Sequence, residues 1–374
     1  MCSLDYISSS ERRSTKIHRS VRIAMFHSPL KTTARTEPKD EMPLATATTA
    51  EQGGATGLSA LHPDIVRTHV LSRLDGPALG SAACCSTTLR QLSSDDNLWS
   101  NICHSMWPST TSPRLSHLIS TFPSGGPRAF FSHAFPVLAS DRNLTRSSSS
   151  PPSEFISAVD IRYKDNLIFT KVQETETVTG WFRCSPFRID LLEPKDVVPT
   201  PIKHPEGEEA CRDMINDMML SWILIDPIGR RAVNLSSHKP VTVERHWLTG
   251  EVQVRYASIL AVDQEHVQCG IVVRCGGSEC GDEMQVREVS LEIEDMDGMH
   301  LNGRIVWSFY KGIGGKKGTG INRVEEGQRR YKAYVDMKRE RRERKLRTEG
   351  ALDMLCVAFG VSIFVAFCCF IFCR

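Results

Sequence analysis

The sequence predicts an α+β, multidomain chain. A small helical module is followed by an antiparallel β-sandwich-like domain and a single C-terminal transmembrane helix. Three observations carry that expectation. Apolar residues recur at three- and four-residue steps between 58 and 107, and at two-residue steps from Glu154 to Gly312. The run Met354–Cys373 then holds no charged side chain, and a helix of that length covers about 30 Å, the thickness of a bilayer's hydrocarbon core.

At 374 residues the chain accommodates one or two domains plus appendages. Its net charge of +2 hides an asymmetry: Lys311 to Arg347 carries fourteen Lys/Arg against five Asp/Glu, so the remainder is mildly acidic. Thirteen cysteines are present, but four lie in the apolar tail and no secretory signal opens the chain, which predicts reduced thiols in the cytosol. Residues 1–57 are rich in Ser, Thr, Ala and Arg and poor in large apolar side chains, the composition of a disordered leader. A translation start at Met42, close to the first segment with core character, is the alternative to one at Met1.

The helical module occupies 58–107. Pro63 suits a first helical turn, and Asp64 complements the positive end of the helix dipole. Ile65, Val66, His69, Val70 and Leu74 follow at helical spacing, and Asp75-Gly76-Pro77 ends that helix and starts the next. A short second helix spans Ala78–Cys85 and a third Thr87–Leu92. Ser93-Ser94-Asp95-Asp96 then offers N-caps ahead of Leu98, Trp99, Ile102, Cys103 and Met106.

The ordered landmarks Leu61-x-Pro63-Asp64-Ile65, Val70-Leu71-x-Arg73-Leu74, Leu79, Ala82-Ala83-Cys84-Cys85-Ser86, Leu89, Leu92 and Asp96-x-Leu98-Trp99 resemble an F-box. One departure stands out: His62 separates Leu61 from Pro63, and Pro63 abuts Asp64. The resemblance implies binding to a Skp-type adaptor and, through it, to a cullin–RING ubiquitin ligase. By position it implies an adaptor-facing set of Leu61, Pro63, Ile65, Val70, Leu71 and Leu74, with Leu79 and Trp99 in support. A module this small buries little core alone, so an apolar face is expected to remain for a partner.

Residues 108–153 read as a linker with short helices, in which Phe130, Phe131 and Phe135 pack against the helical module or the next domain. The β-rich domain, 154–315, is expected to select the target. It opens with a hairpin from Ile156–Tyr163 and Leu167–Val172, followed by a strand over Trp181–Leu192. Met218–Ile225 reads as a strand buried on both faces. Val241–Trp247 and Val252–Tyr256 flank a Leu248-Thr249-Gly250 turn. Strands follow at Val267–Val273 and Val289–Ile293, with a return strand at Ile305–Phe309. Strands at this spacing argue for an antiparallel sandwich. F-box, β-rich body and apolar tail together look most like the plant F-box family, some members of which carry a sandwich resembling the phloem lectins.

The basic juxtamembrane segment, 316–350, reads as a helix over Arg323–Arg347, suited either to anionic headgroups or to a solvated connector. The membrane helix is expected at 351–373, its positive flank on the cytosolic side. Catalytic and metal sites are not expected. Cys269, Cys275 and Cys280 near His266 lack paired C-x-x-C spacing, and the glycines from Gly312 lack the Gly-Lys-Ser/Thr of a phosphate loop. The resemblance therefore implies a non-catalytic, membrane-tethered substrate-recognition subunit of an SCF-type (Skp–cullin–F-box) ligase, with no cofactor and no nucleic-acid partner, acting on an unidentified protein. The alternative is a membrane-anchored scaffold or lectin-like binding module without a ligase role.

Overall fold

The computed structural model describes residues 61–135, 151–262, 265–278, 281–313 and 323–374. The leader, the start of the helical module at 58–60, the linker from 136 to 150, Cys280 and the glycine-rich residues 314–320 lie outside the described residues.

The first helix, α1 (residues 63–73), runs through an α-turn Pro63–Ile65, a π-turn Val66–Val70 and a 3-10 turn Leu71–Arg73. Helices α2 (Gly76–Cys85), α3 (Thr87–Leu92) and α4 (Asp96–Met106) follow, each opened by a side-chain cap. Asp75 Oδ1 accepts from Ala78 N at 2.8 Å, Ser86 Oγ from Leu89 N at 3.1 Å and Asp95 Oδ1 from Asn97 N at 2.9 Å. A 3-10 turn, Pro108–Thr111, leads to α5 (Pro113–Ser120) and α6 (Gly126–Ala134).

The β-domain pairs two antiparallel sheets. Among the described residues one has the order β2-β1-β5-β6, built from β1 (Glu154–Tyr163), β2 (Asn166–Glu176), β5 (Met218–Asp226) and β6 (Arg231–Asn234). The other has the order β3-β10-β9-β8-β7, with β4 also on β10. Its strands are β3 (Arg188–Asp190), β4 (Val198–Lys203), β7 (Thr242–Arg245), β8 (Val252–Val262), β9 (Glu265–Ser278) and β10 (Gly281–Glu294).

Strands β1 and β5 are buried on both faces because each face has its own neighbour. Phe155, Val159 and Ile161, with Leu220, Trp222 and Leu224, face the second sheet; Ile156, Ala158, Ile223 and Ile225 face the helices. The alternation of period two is therefore apolar on both sides. Polar exceptions are paired: Asp160 accepts from Ser109 N (2.9 Å), Ser109 Oγ (2.5 Å) and Thr170 Oγ1 (2.8 Å), and Trp107 Nε1 donates to Ser221 Oγ at 3.2 Å.

Two expected strands are not formed. Thr179 caps a short helix, α7 (Gly180–Cys184), through Phe182 N, and Pro186 intervenes before β3, so only three residues of the expected 181–192 strand pair with β10. The expected return strand is instead α9 (Gly303–Ile313), which follows α8 (Glu208–Asp217) in chain order. Asn302 Oδ1 accepts from Ile305 N at 3.0 Å, and Val306, Trp307, Phe309 and Tyr310 all enter the sandwich core. The last helix, α10 (Arg323–Phe372), is fifty residues long.

Candidate functional site

The helical module is not a free-standing unit. Its core includes Val66, Leu71, Leu79, Leu92, Leu98, Trp99 and Cys103 and continues through Phe130 and Phe131 of α6 to the outer face of β1, β5 and β6. Trp99 and Trp107 lie 5.3 and 5.5 Å from the Phe131 ring, and Trp99 Nε1 donates to Ser93 O at 2.7 Å. Part of the face expected to await a partner is thus covered from within the chain.

This divides the expected adaptor-facing set. Leu71 (1% exposed), Leu79 (0%) and Trp99 (3%) are core residues and present nothing to solvent. Leu61 (46%), Ile65 (46%) and Val70 (37%) are exposed, as is Pro63. Leu74 is half-buried and lines a cleft of about 460 Å³ beside the end of α1, together with Leu71, Gly76, Leu98, Ile102 and Met106. The cleft residues of α4 were not anticipated, although Leu98, Ile102 and Met106 recur at i, i+4, i+8, the signal of one helix face.

The π-turn explains how both ridges of α1 hold together. Buried Val66 and Leu71 are five apart, and so are exposed Ile65 and Val70. Five residues of α-helix would leave such pairs about 140° out of phase. Here Leu71 N donates to Val66 O as well as Arg67 O, and the i→i+5 closure brings both pairs back into line. Arg67 lies on the flank, its Nε 3.3 Å from Asp95.

Burial pushes the Cys103, Cys269 and Cys275 thiols up to about 12, and the last two are enclosed in the sandwich core. Among the described residues no three His, Cys, Asp or Glu side chains gather as a metal site.

At the other end, one helix among the described residues, α10, is long and apolar enough to cross a membrane. The expected span Met354–Cys373 is helical through Phe372, and its large apolar side chains are exposed.

A capped helical module is fused to a two-sheet body, and comparison with known proteins says to which family such a chain belongs. The F-box domain model matches residues 61–101. Three Arabidopsis thaliana proteins are similar over nearly their whole length. "Probable F-box protein At2g36090" is 44% identical over 82% of this chain and 91% of its own. "F-box protein At2g27310" is 40% identical over 85% and 97%, and "F-box protein At3g44326" 40% over 85% and 92%. The chain belongs to the F-box protein family. No solved structure matches it significantly.

Proposed function

We propose that this chain is the substrate-recognition subunit of an SCF-type ubiquitin ligase, held at a membrane by α10 with its bulk in the cytosol. Residues 58–107 recruit the Skp-type adaptor, 154–315 select the target protein, and 351–373 cross the bilayer, with 108–153 and 316–350 connecting them. Ubiquitin transfer is the chemistry of the recruited ligase; this chain contributes placement and effective concentration.

The observation that carries the reading is the exposed ridge of Ile65 and Val70 on α1, with exposed Leu61 just ahead of the helix, next to the cleft at Leu74. Aliphatic side chains aligned on one helix ridge inside a matched F-box are what an adaptor would cover. The test is titration of a purified Skp-type adaptor against the full chain in lipid nanodiscs. Ile65→Asp with Val70→Asp is expected to weaken capture at least a hundredfold with an unchanged melting temperature. Leu71→Ala, a core truncation of the 2–5 kcal/mol class, is expected to lower the melting temperature first. Capture that survives the double aspartate variant would sink the assignment.

A further inference from the structure

The helix that reaches the bilayer is also a folded part of the β-domain. Gly327, Tyr331, Tyr334, Lys338 and Arg341 of α10 recur at four- and three-residue steps, one helix face. Tyr334 on that face is fully buried and its hydroxyl donates to Asp295 O at 3.0 Å. Lys338 Nζ meets Glu294 Oε2 at 3.0 Å, and Arg341 Nη2 meets Asp297 Oδ2 at 2.8 Å. One turn before Tyr331, Gln328 Nε2 donates to Pro240 O at 3.4 Å. These partners run from the start of β7 to the turn after β10, so the helix lies along the second sheet and leaves it at the Asp295–Met299 turn.

Beyond Arg341 the helix continues unbroken and uncovered to Phe372, with no proline. The stretch in water needs no nucleus of its own, because it extends a turn already fixed on the sheet, and propagation adds one hydrogen bond per residue. An Arg347–Glu343 pair at 3.3 Å supports it at i, i+4 spacing. Met354 lies thirteen positions beyond Arg341, a rise of about 20 Å. Headgroups fill about 6 Å of that, which leaves the Asp295–Met299 turn about 14 Å above the lipid surface.

At its other end the body is joined just as firmly. The helical module shares its core with the outer face of β1 and β5 and is pinned there by Asp160 to Ser109 and Trp107 to Ser221. The described residues therefore connect the exposed ridge of α1 to the apolar span through packed elements as far as Arg341 and through one continuous helix beyond it.

We propose that α10 is a rigid strut that fixes the height and orientation of the receptor body over the bilayer. The targets it serves are then proteins resident in or bound to that same membrane, met within a narrow shell above the headgroups. This rests on the reading that α10 crosses a membrane. A flexible tether would behave differently: twelve residues of random coil have a root-mean-square length of about 20 Å, the same mean but with every height down to contact populated.

The test measures the height distribution of the full chain in vesicles of phosphatidylcholine with one-fifth phosphatidylserine. A fluorescent amino acid replaces the exposed Met299, headgroup-labelled lipid acts as acceptor, and time-resolved transfer reads the distribution. The wild type is expected to give one narrow distance. A seven-residue helical insertion (Glu-Ala-Ala-Ala-Lys-Glu-Ala) after Arg347 is expected to shift it outward by about 10 Å without broadening. Seven residues of alternating Gly and Ser at the same place, beyond every docked side chain, are expected to broaden it strongly. A wild-type distribution as broad as the Gly/Ser variant's, with the chain still floating with the vesicles, overturns the strut alone. A chain that fails to float with vesicles overturns the membrane reading and the strut with it.

Discussion

Gly76 opens α2 in the middle of the aromatic joint, and replacing it with alanine tests whether that joint holds the F-box to the rest of the chain. Its backbone is not left-handed, so only space is at issue. A Cβ built there falls 2.0 Å from Phe131 Cζ and 2.6 Å from both Cε atoms. The ring has little room to retreat: it lies 5.3 Å from Trp99, 5.5 Å from Trp107 and 5.2 Å from Phe135. Overpacking of this sort costs about 1–3 kcal/mol, against about 0.4–1 kcal/mol recovered from the reduced freedom of the unfolded chain. The expected net loss is about 1–2 kcal/mol, which for a body of this size is a fall of about 2–8 °C in melting temperature. Gly76→Ala, Phe131→Leu and the double variant form a cycle, followed by thermal unfolding with tryptophan fluorescence on the solubilised chain. Phe131→Leu alone loses packing, but in the Gly76→Ala background it removes the clash, so the double variant is expected to be at least about 1 kcal/mol more stable than the sum of the singles predicts. Strict additivity, or a Gly76→Ala melting curve that overlays the wild type, would refute the close packing of α2 on α6.

Two further outcomes follow from the same geometry. Deleting exposed His69 turns the five-residue steps from Val66 to Leu71 and from Ile65 to Val70 into four-residue ones, so a regular α-turn should keep both ridges. Adaptor affinity within about threefold of wild type and an equal or higher melting temperature are expected, whereas inserting an alanine after Thr68 should abolish capture; calorimetric titration and scanning fluorimetry check both. The Asp160 carboxyl is held above the usual carboxylate range because burial outweighs its hydrogen bonds from Ser109 and Thr170. The folded state then binds the proton more tightly than the unfolded one. Its contribution is fully present below the ordinary carboxylate value of about 4 and is lost as pH rises through the raised one, a slope that Asp160→Asn should flatten in melting curves taken across that range.

Much of the architecture was legible in local chemistry. Asp75, Ser86 and Asp95 are caps wherever they stand in such a pattern, and the eight apolar-rich residues before Asp226-Pro227 left little alternative to a buried strand. The division of the expected adaptor-facing set has one cause, which is that an apolar pattern does not say who covers it. Leu71, Leu79 and Trp99 are apolar landmarks of the same motif as Ile65 and Val70, and only the arrival of α6 and β1 in three dimensions separates core from surface. The π-turn was equally hidden, since an i, i+5 relation is out of phase in the helix a reader assumes. At 305–309 the alternation of Ile, Trp and Phe suggested a strand. Val306 and Tyr310 complete a helical period instead, and Asn302 is the cap that announced it.

The division of that set of residues also constrains how the proposed adaptor surface can work. Fully burying a Val, Leu or Ile side chain is worth about 1.5–3 kcal/mol, and Leu61, Ile65 and Val70 have 46%, 46% and 37% of their surface left to cover. The three together offer about 2–4 kcal/mol. Micromolar capture needs about 8 kcal/mol net, after the several kcal/mol lost in immobilising one protein on another. The ridge alone falls short. The balance has to come from the neighbouring cleft, where Leu74, Ile102 and Met106 are half-buried and can be completed by an inserted side chain. Because Leu98 on the floor of that cleft belongs to the same core as Phe131 and Ile156, adaptor affinity and the seating of the F-box on the β-sandwich should be coupled. A surface this economical works only if the fold beneath it holds its shape before the adaptor arrives.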